Sequence, residues 1–478
     1  MPRTYRLRSR PAPSGQKTDF AALLNEQQLA AVTSPIGASL VIAGAGSGKT
    51  RTLTHRVAYL IEEGMPARNI LLLTFTNKAA REMLDRVEEI ITLDRLSLWG
   101  GTFHSIGNRI LRRHADLIGY RKNFSIMDRE DQRSLLLQAF KESGLPERVL
   151  KDKRFPKAKV LADIFSMAEN LACDLEEILE ARYDHLAEHW EEIGTVRTAY
   201  EKKKLATNVM DFDDLLTKTL NLLEENAAIC EGYQNQFRAI LVDEYQDTNP
   251  VQSRLIDLLA QKHGHLMVVG DDAQSIYSWR GADFRNILGF SDRYPDAKTY
   301  KIETNYRSVP EVLTLANEVI SQNEEQFPKE LQPARESADN LPVLVPVEDP
   351  NFQAQFISQR IEDFQAEGVE LNEIAILYRA HFHSMEIQMA LTRLGLPYRI
   401  TSGVRFFEQA HLKDVCSFIR FTVNPRDEVA FQRMVKLIPG IGDITADKLW
   451  QAWLGCGAST EEEPPESYSK LLEGFRVP

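Results

Sequence analysis

Residues 39–64 read SLVIAGAGSGKTRTLTHRVAYLIEEG and decide the fold of the chain. An apolar run of strand length comes first, and a segment of small residues follows it. Apolar residues then recur with helical spacing as far as Gly64, a residue type that commonly ends helices. These apolar positions are Leu53, Val57, Leu60 and Ile61. The stretch therefore predicts a strand, a glycine-rich turn and a helix, as in an open parallel α/β sheet.

The turn between this strand and helix has the composition of a phosphate-binding loop. Its glycines let the backbone curl so that N–H groups face an anion at the helix N-terminus. Lys49 can reach the β- and γ-phosphates, and Thr50 can ligate Mg²⁺, although Ala43 stands where the usual pattern begins with glycine. The residues predicted to contact the nucleotide phosphates are Ala45, Gly46, Ser47, Gly48, Lys49 and Thr50. The alternative is a glycine-rich turn without a ligand.

A second apolar run ends in two acidic residues. Residues 238–249 read RAILVDEYQDTN, and Asp243 and Glu244 follow the apolar segment 240–242 directly. The carboxyl ends of strands in an open parallel sheet are where ligands bind. There Asp243 can hold Mg²⁺ through water, while Glu244 can orient and deprotonate the attacking water. The two stretches together predict a Mg²⁺-dependent nucleoside triphosphatase.

Further apolar runs extend this picture along a chain of 478 residues, which is long enough for two or more domains. Runs at 69–75 and 265–270 predict more buried strands of the same sheet. Runs at 341–347 and 373–378 alternate with helical stretches and predict another α/β domain after about residue 300.

Composition narrows the class of protein further. No apolar run has the roughly 18 residues needed to cross a membrane, and the N-terminus lacks a secretory signal. Four scattered cysteines favour reduced thiols over a zinc site, so we expect a cytoplasmic protein without a membrane partner. The net charge of −12 is only weak evidence against nucleic acid, because a narrow basic groove can lie on an acidic protein.

Eight segments, in the family's order, resemble the motifs of superfamily 1 DNA helicases of the UvrD/Rep/PcrA type. They are LNEQQ (24–28), AGAGSGKT (43–50), LTFTNKAAREM (73–83), GTFHSIGNRIL (101–111), DFDDLL (211–216), LVDEYQDTN (241–249), GDDAQSIYSWRGAD (270–283) and NYRS (305–308). The resemblance implies an α/β fold with two RecA-like parallel-sheet motor domains, the second incomplete, and mainly helical accessory insertions.

The resemblance also implies domain boundaries. We expect a disordered basic tail at 1–20, a first motor domain at 21–120 and 209–299, a helical insertion at 121–208, a second motor domain at 300–404 and the start of a second helical insertion at 405–478. A basic patch at 151–160 is either a phosphate contact or a solvated face. IPGIGDITADKL at 438–449 is either a hairpin that grips DNA phosphate or a simple turn between helices.

Roles at the nucleotide follow from the matching residues. Gln28 is similar to the family glutamine that reads the adenine edge, and Arg51 and Tyr306 resemble the pair that sandwiches the adenine. Gln274 and Arg307 resemble sensors of the γ-phosphate. The alternatives are a solvated helix surface for Gln28 and a surface ion pair for Arg307.

Roles at the DNA follow in the same way. Aromatic side chains stack on bases without reading sequence, and hydroxyl and imidazole groups hydrogen-bond phosphates. The residues that the resemblance assigns to DNA are Phe75, Thr102, Phe103, His104, Tyr277 and Trp279. For Phe75 and Phe103 the alternative is a place in the hydrophobic core.

The resemblance implies an ATP-dependent helicase that moves 3′ to 5′ on single-stranded DNA, with ATP and Mg²⁺ as cofactors. Its partners would be single-stranded DNA, single/double-strand junctions and proteins of repair or replication restart. The alternatives are a motor of a helicase–nuclease or protein-stripping translocase, and a truncated, non-catalytic DNA-binding module. The family's last two motifs do not occur before Pro478, so we expect the chain alone to hydrolyse ATP poorly.

Overall fold

A computed structural model describes residues 18–91, 98–152, 154–401 and 410–455. The chain forms two compact units, Met1–Asn340 with Val423–Val429, and Leu341–Thr422 with Ala430–Pro478. The first 17 residues of the predicted tail lie outside the described residues. Residues 18–20 are ordered, which contradicts the prediction of a disordered tail up to residue 20. Phe20 is buried, and the backbone N–H of Thr18 donates to the Glu62 carboxylate.

The first unit contains a six-stranded sheet in which every pair of neighbouring strands is parallel. Its strand order is β3-β2-β6-β7-β1-β8, and two-stranded pairs join β4 to β5 and β9 to β10. The strands are β1 Ser39–Ala43, β2 Ile70–Thr74, β3 Trp99–Thr102, β4 Ser125–Ile126, β5 Val209–Met210, β6 Ala239–Val242, β7 Leu266–Gly270, β8 Lys298–Ile302, β9 Thr304–Asn305 and β10 Gln332–Pro333. The predicted parallel α/β sheet is therefore confirmed.

Both faces of this sheet are buried, as the continuous apolar runs predict. Successive strand residues point to opposite faces. One face of the sheet contributes Leu40, Ile42, Leu71, Leu73, Ile240, Val242, Leu266 and Val268 to one core. The other face contributes Val41, Ala43, Ile70, Leu72, Ala239, Leu241, Met267 and Val269 to a second core. Strand β8 was not predicted, because all of its residues except Ile302 are at least partly exposed.

Helices cover the sheet and build the insertion. They are α1 Phe20–Leu23, α2 Glu26–Val32, α3 Lys49–Glu62, α4 Asn77–Ile90, α5 Phe103–His114, α6 Arg129–Glu142, α7 Glu147–Leu150, α8 Ala158–Leu171, α9 Leu175–Arg182, α10 Trp190–Thr207, α11 Asp214–Glu225, α12 Ala227–Gln236, α13 Pro250–Ala260, α14 Arg285–Leu288, α15 Phe290–Arg293 and α16 Pro310–Ile320. Helix α3 confirms the prediction from residues 39–64: Leu53 and Val57 are fully buried, and Gly64 has a φ of 94°.

Helices α6 to α10 form the insertion that the sequence predicts to be helical, and they enclose a hydrophobic core of their own. The basic patch at 151–160 lies there, where Lys151 pairs with Glu147 and Arg154 pairs with Asp152. Deeper in the insertion, the fully buried Lys204 ammonium contacts carboxylates of its own helix and of the segment that follows it. These carboxylates belong to Glu201, Asp211 and Asp214.

The second unit differs from the prediction. Its helices are α17 Pro350–Ala366 and α18 Met385–Arg393, together with most of α19 Ala410–Val423, α20 Glu428–Val435 and α21 Asp443–Trp453. The strands predicted at 341–347 and 373–378 are not formed, and the described residues of this unit contain no sheet. Strands are stable only where their N–H and C=O groups pair. Leu344 and Leu377 are instead more than nine-tenths exposed.

The glycine-containing segment 438–449 connects helices α20 and α21. It forms a turn in which Gly440 has a φ of 92°. This geometry agrees with both interpretations of the segment. No helix in the described part of the chain is both long and apolar enough to span a membrane.

Candidate nucleotide and nucleic-acid site

The register of the sheet brings the predicted motifs to one edge. Ile42 of β1 lies beside Gly270 of β7, and Leu73 of β2 lies beside Val242 of β6. Because these strands are parallel, the loops that follow them leave the sheet on the same side. The loops that follow these four strands begin at Gly44, Phe75, Asp243 and Asp271.

The phosphate loop has the backbone that its glycines make possible. Gly46 and Gly48 have φ values of 70° and 89°, in the left-handed region that favours glycine. A Cβ atom added at Gly48 would stand 2.7 Å from the side-chain nitrogen of Gln28. Helix α3 begins at Lys49, so its unpaired backbone N–H groups point into the loop.

Lys49 and Glu244 meet across the sheet edge. The Lys49 Nζ atom lies 2.5 Å from Glu244 Oε2. Glu244 is one of the few non-glycine residues with a left-handed backbone, at a φ of 51°. Such a backbone costs roughly 1–3 kcal/mol and is concentrated at functional sites. The left-handed conformation of Glu244 changes the direction of the chain after β6, and its carboxylate contacts Lys49.

Asp243 has the burial and charge expected of a metal ligand. Its side chain is buried, and its Oδ1 atom has no hydrogen-bond partner among the described residues. Burial, and then the Glu244 charge, raise the pKa of Asp243 to about 7, and Lys49 opposes this rise. A divalent cation would neutralise this buried carboxylate. Asp243 therefore fits the Mg²⁺ that the sequence predicts.

The residues predicted around the adenine lie on one side of the phosphate loop. The side-chain nitrogen of Gln28 donates to the Ser47 carbonyl at 2.8 Å, and Gln28 is buried, which excludes the solvated helix surface. The Arg51 guanidinium donates to the Leu23 carbonyl at 2.7 Å. The Tyr306 hydroxyl accepts a hydrogen bond from Asn25 at 2.8 Å. Arg51 and Tyr306 thus flank the same short turn between helices α1 and α2.

Residues 305–307 contact the phosphate loop. The Tyr306 N–H donates to the Gly46 carbonyl at 3.0 Å, and the Asn305 side chain donates to the Ala45 carbonyl at 2.5 Å. A Cβ atom at Gly46 would stand 2.7 Å from the Cβ atom of Arg307. The backbone of Arg307 therefore lies beside the loop that the sequence assigns to the phosphates.

Gln274 lies in the loop that follows β7. Its side-chain nitrogen donates to Asp271 Oδ2 at 2.6 Å, and Lys329 contacts the other Asp271 oxygen at 2.8 Å. Lys329 also contacts Asp272 at 2.7 Å. Ion pairs with Lys329 therefore hold the first turn of the loop. The last residues of the loop line an aromatic cavity.

This cavity has a volume of about 550 Å³ and lies between the sheet edge and the helical insertion. Phe75 and Tyr277 stack there, with ring centroids 5.2 Å apart and an interplanar angle of 28°. Trp279 also lines the cavity and is 55% exposed. Phe75 lies in the wall of this cavity, which disagrees with its alternative place in the core.

Residues 102–104 are neighbours in the chain, but their side chains have different surroundings. Phe103 is 2% exposed and belongs to the hydrophobic core, so its prediction as a DNA contact is wrong, because helix α5 turns its side chain toward the sheet. Thr102 is buried and its hydroxyl caps α5 by accepting from the Ser105 N–H. Only His104 reaches the cavity, where burial lowers its pKa to about 4 and keeps it neutral near pH 7.

Two cavity features were missed by the sequence reasoning. Phe212 is 54% exposed and meets the His104 ring edge-on, with centroids 6.0 Å apart. Its signal was available, since it lies in the quoted DFDDLL motif. Asn170 of the insertion donates to Asp213 and accepts from Asn249 at 2.6 Å. No local pattern indicates this bridge, because its partners are far apart in the sequence.

Comparisons with known proteins agree with these features. Residues 24–295 match the model of the UvrD/REP helicase N-terminal domain, and residues 300–474 match that of the UvrD-like helicase C-terminal domain. The ATP-dependent DNA helicase PcrA of Staphylococcus epidermidis is 40% identical over 428 residues, which cover 89% of this chain and 57% of that protein. The protein of the same name from Staphylococcus aureus is 38% identical with the same coverage. The chain thus spans little more than half the length of these relatives.

Proposed function

The chain belongs to the UvrD/REP helicase family, and we propose from this membership that it is the motor of an ATP-dependent DNA helicase. The observation that carries the proposal is the contact between Lys49 and Glu244 at the sheet edge. The loop after β7 begins at the same edge and contributes Tyr277 and Trp279 to the aromatic cavity. The relatives carry the name ATP-dependent DNA helicase, which supports the same substrate class.

At the nucleotide, we propose that the N–H groups of the phosphate loop and Lys49 bind the phosphates. Glu244 orients a water molecule and accepts its proton, and Gln274 and Arg307 respond to the γ-phosphate. Gln28, Arg51 and Tyr306 hold the adenine. Mg²⁺ held by Thr50 and Asp243 supplies positive charge to the phosphate oxygens when bound.

At the DNA, we propose that bases stack on Phe75, Tyr277 and Trp279, with His104 as a neutral hydrogen-bonding partner. The mixed polar and aromatic lining of the cavity supports this assignment, because stacking tolerates any base sequence. The substrates would be single-stranded DNA and single/double-strand junctions. The protein would act on them in the cytoplasm, during repair or replication restart.

Two measurements test the proposed function. Turnover of ATP should rise when a single-stranded oligonucleotide is added, and a chain that binds neither ligand would contradict the proposal. Unwinding of a 3′-tailed duplex in preference to a 5′-tailed duplex tests the proposed 3′-to-5′ direction. Equal unwinding of both substrates would refute the direction and leave the motor in place.

A further inference from the structure

Two arginines near the C-terminal end of helix α5 share one aromatic ring. The guanidinium carbon of Arg109 lies 3.6 Å from the centroid of the Trp99 ring, and that of Arg113 lies 4.9 Å from it. Both arginines are exposed, whereas Trp99 is only 4% exposed. The Trp99 ring is itself packed edge-on against Phe237, with ring centroids 5.1 Å apart. Stacking on a fixed ring therefore holds both guanidinium groups at defined positions on the surface.

The two guanidinium groups repel each other and have no counter-charge of their own. In the part of the chain that the structure describes, neither forms an ion pair with a carboxylate. Like charges four residues apart on a helix are unfavourable. Partial desolvation, and then the charge of Arg113, lower the pKa of Arg109. An anion bound by both groups would remove this repulsion.

The position of the pair at a helix end does not explain it. A helix C-terminus attracts cations, but this effect falls off within the last turn. Arg112 and Arg113 lie in the last turn of α5, whereas Arg109 lies before it. Arg112 is also held differently, because its guanidinium stacks on Phe124 at 3.7 Å and donates to the Lys122 carbonyl at 2.7 Å. A bound anion accounts for Arg109, which the helix dipole does not.

The chemistry of the pair favours a phosphate as this anion. A guanidinium presents a planar set of N–H donors that matches the oxygens of a phosphate. The chain has a net charge of −12, so a polyanion is repelled by most of its surface and binds where positive charge is uncompensated. The polyanion that belongs to the function proposed above is DNA.

Helix α5 also relates the pair to the aromatic cavity. His104 lines the cavity from the first turn of α5, and Arg113 lies about 13 Å farther along the helix axis. Neither arginine lines the cavity. Each strand of a DNA duplex carries one phosphate about every 3.4 Å along its axis. A duplex beside the cavity would therefore bring phosphates to this distance from a single strand bound inside it.

We propose that Arg109 and Arg113, held on Trp99, form a binding site for a backbone phosphate of duplex DNA outside the aromatic cavity. This site rests on the function proposed above and adds a place for the duplex part of the substrate. The two guanidinium groups donate hydrogen bonds to the phosphate oxygens, and the phosphate compensates their charges. The contact does not read sequence, because all backbone phosphates are alike.

The test measures the binding of a fluorescein-labelled blunt duplex by anisotropy, over a series of salt concentrations, in three proteins. They are the unchanged chain, Arg109→Gln/Arg113→Gln and the control Arg86→Gln/Arg254→Gln. The control removes the same amount of charge from two surface arginines that already contact carboxylates. Arg109→Gln/Arg113→Gln should weaken duplex binding about tenfold at low salt and reduce the slope of log affinity against log salt by about 1. The control should keep both values.

Oligo-dT separates this site from the cavity, and its affinity should be equal in the three proteins. A parallel loss of oligo-dT affinity in Arg109→Gln/Arg113→Gln would overturn the assignment to duplex. Equal duplex affinities and slopes in all three would show that the site is wrong while the helicase proposal stands, and would leave an acidic protein as the partner. If the unchanged chain binds neither DNA, both proposals fall.

Inorganic phosphate, compared with chloride at equal ionic strength, tests whether the ligand is a free ion. If phosphate raises the midpoint of thermal unfolding of the unchanged chain but not of Arg109→Gln/Arg113→Gln, and duplex binding is equal, the assignment to DNA is wrong. Arg113→Gln alone covers the case in which the double variant fails to fold, because Arg109 remains stacked on Trp99. It should also weaken duplex binding and reduce the salt slope, and unchanged values would contradict the site.

Discussion

A change at Lys49 can separate ATP turnover from DNA binding. Lys49 lies at the phosphate loop and contacts Glu244, but it does not line the aromatic cavity. Lys49→Ala should abolish ATP turnover, since the charge that reaches the β- and γ-phosphates is lost. Oligonucleotide affinity, measured by fluorescence anisotropy, should stay unchanged. Lys262→Ala, an exposed lysine paired with Glu231, is the control and should keep both properties. A parallel loss of DNA binding would contradict the division of the site.

Trp279 offers an exposed ring at the cavity, and the structure supplies a matched tryptophan elsewhere. Trp279→Ala should weaken single-strand binding by about 1–3 kcal/mol, the usual contribution of one stacked base. Trp190 in the insertion is 44% exposed, compared with 55% for Trp279, and Trp190→Ala should leave the affinity unchanged. Equal affinity of all three proteins in a titration would remove Trp279 from the binding surface.

As the proposed Mg²⁺ ligand, Asp243 should make metal binding dependent on pH. Its pKa is about 7 in the folded chain, so the carboxyl is protonated below that pH and must lose the proton to bind Mg²⁺. Mg²⁺ affinity, measured by calorimetry, should rise as the pH increases through 7, by up to about tenfold per unit. Without metal, the raised pKa stabilises the fold below the ordinary carboxyl pKa, and this contribution is lost as the pH rises through 7.

The control for this pH dependence is the neighbouring Asp247, whose pKa burial also raises to about 7. Asp243→Asn should remove most of the Mg²⁺ affinity and its dependence on pH, whereas Asp247→Asn should retain the dependence. The same pH profile in Asp243→Asn as in the unchanged chain would show that another group holds the metal.

At the scale of elements, helix α10 ties the insertion to its surroundings through Lys204. Desolvation opposes its charge, but Asp211, Asp214 and Glu201 together raise the pKa of Lys204 well above the ordinary value. Lys204→Met leaves these buried carboxylates without their cation, so the free energy of unfolding should fall by about 3–5 kcal/mol. Lys202→Met, at an exposed position of the same helix, should change it little. Equal denaturation midpoints of the two variants would contradict this role.

The elements that sequence alone predicts are those whose signal is local. Strand β1 and helix α3 follow from residues 39–64, because an apolar run of strand length and the helical spacing of apolar residues are both visible in a short window. The strands at 341–347 and 373–378 were predicted from apolar composition, which gives no information about a pairing partner. Phe103 was misassigned for a related reason: a motif places a residue in the chain but not the direction of its side chain.

The contacts that organise the candidate site were not predictable from local patterns. Gln246 and Asp271 are 25 positions apart, and Lys49 and Glu244 are 195 positions apart. Only the order of strands in the sheet brings them together. The left-handed backbone of Glu244 had no sequence signal either, because glutamate rarely adopts it.

Across the whole molecule, we propose that one sheet edge serves two kinds of ligand. The loops after β1 and β6 carry the proposed nucleotide residues, and the loop after β7 runs from Gln274 to the aromatic cavity. A ligand shifts an equilibrium only through contacts that differ between two states. A single loop that contacts both proposed ligands would provide such contacts over a few residues.

A crystal structure of the chain with a bound oligo-dT would show which residues hold the bases. We expect bases stacked against Tyr277 and Trp279, with the Tyr277 ring separated from Phe75. A complex in which the oligonucleotide lies away from both Tyr277 and Trp279 would show that this loop does not join nucleotide sensing to base binding.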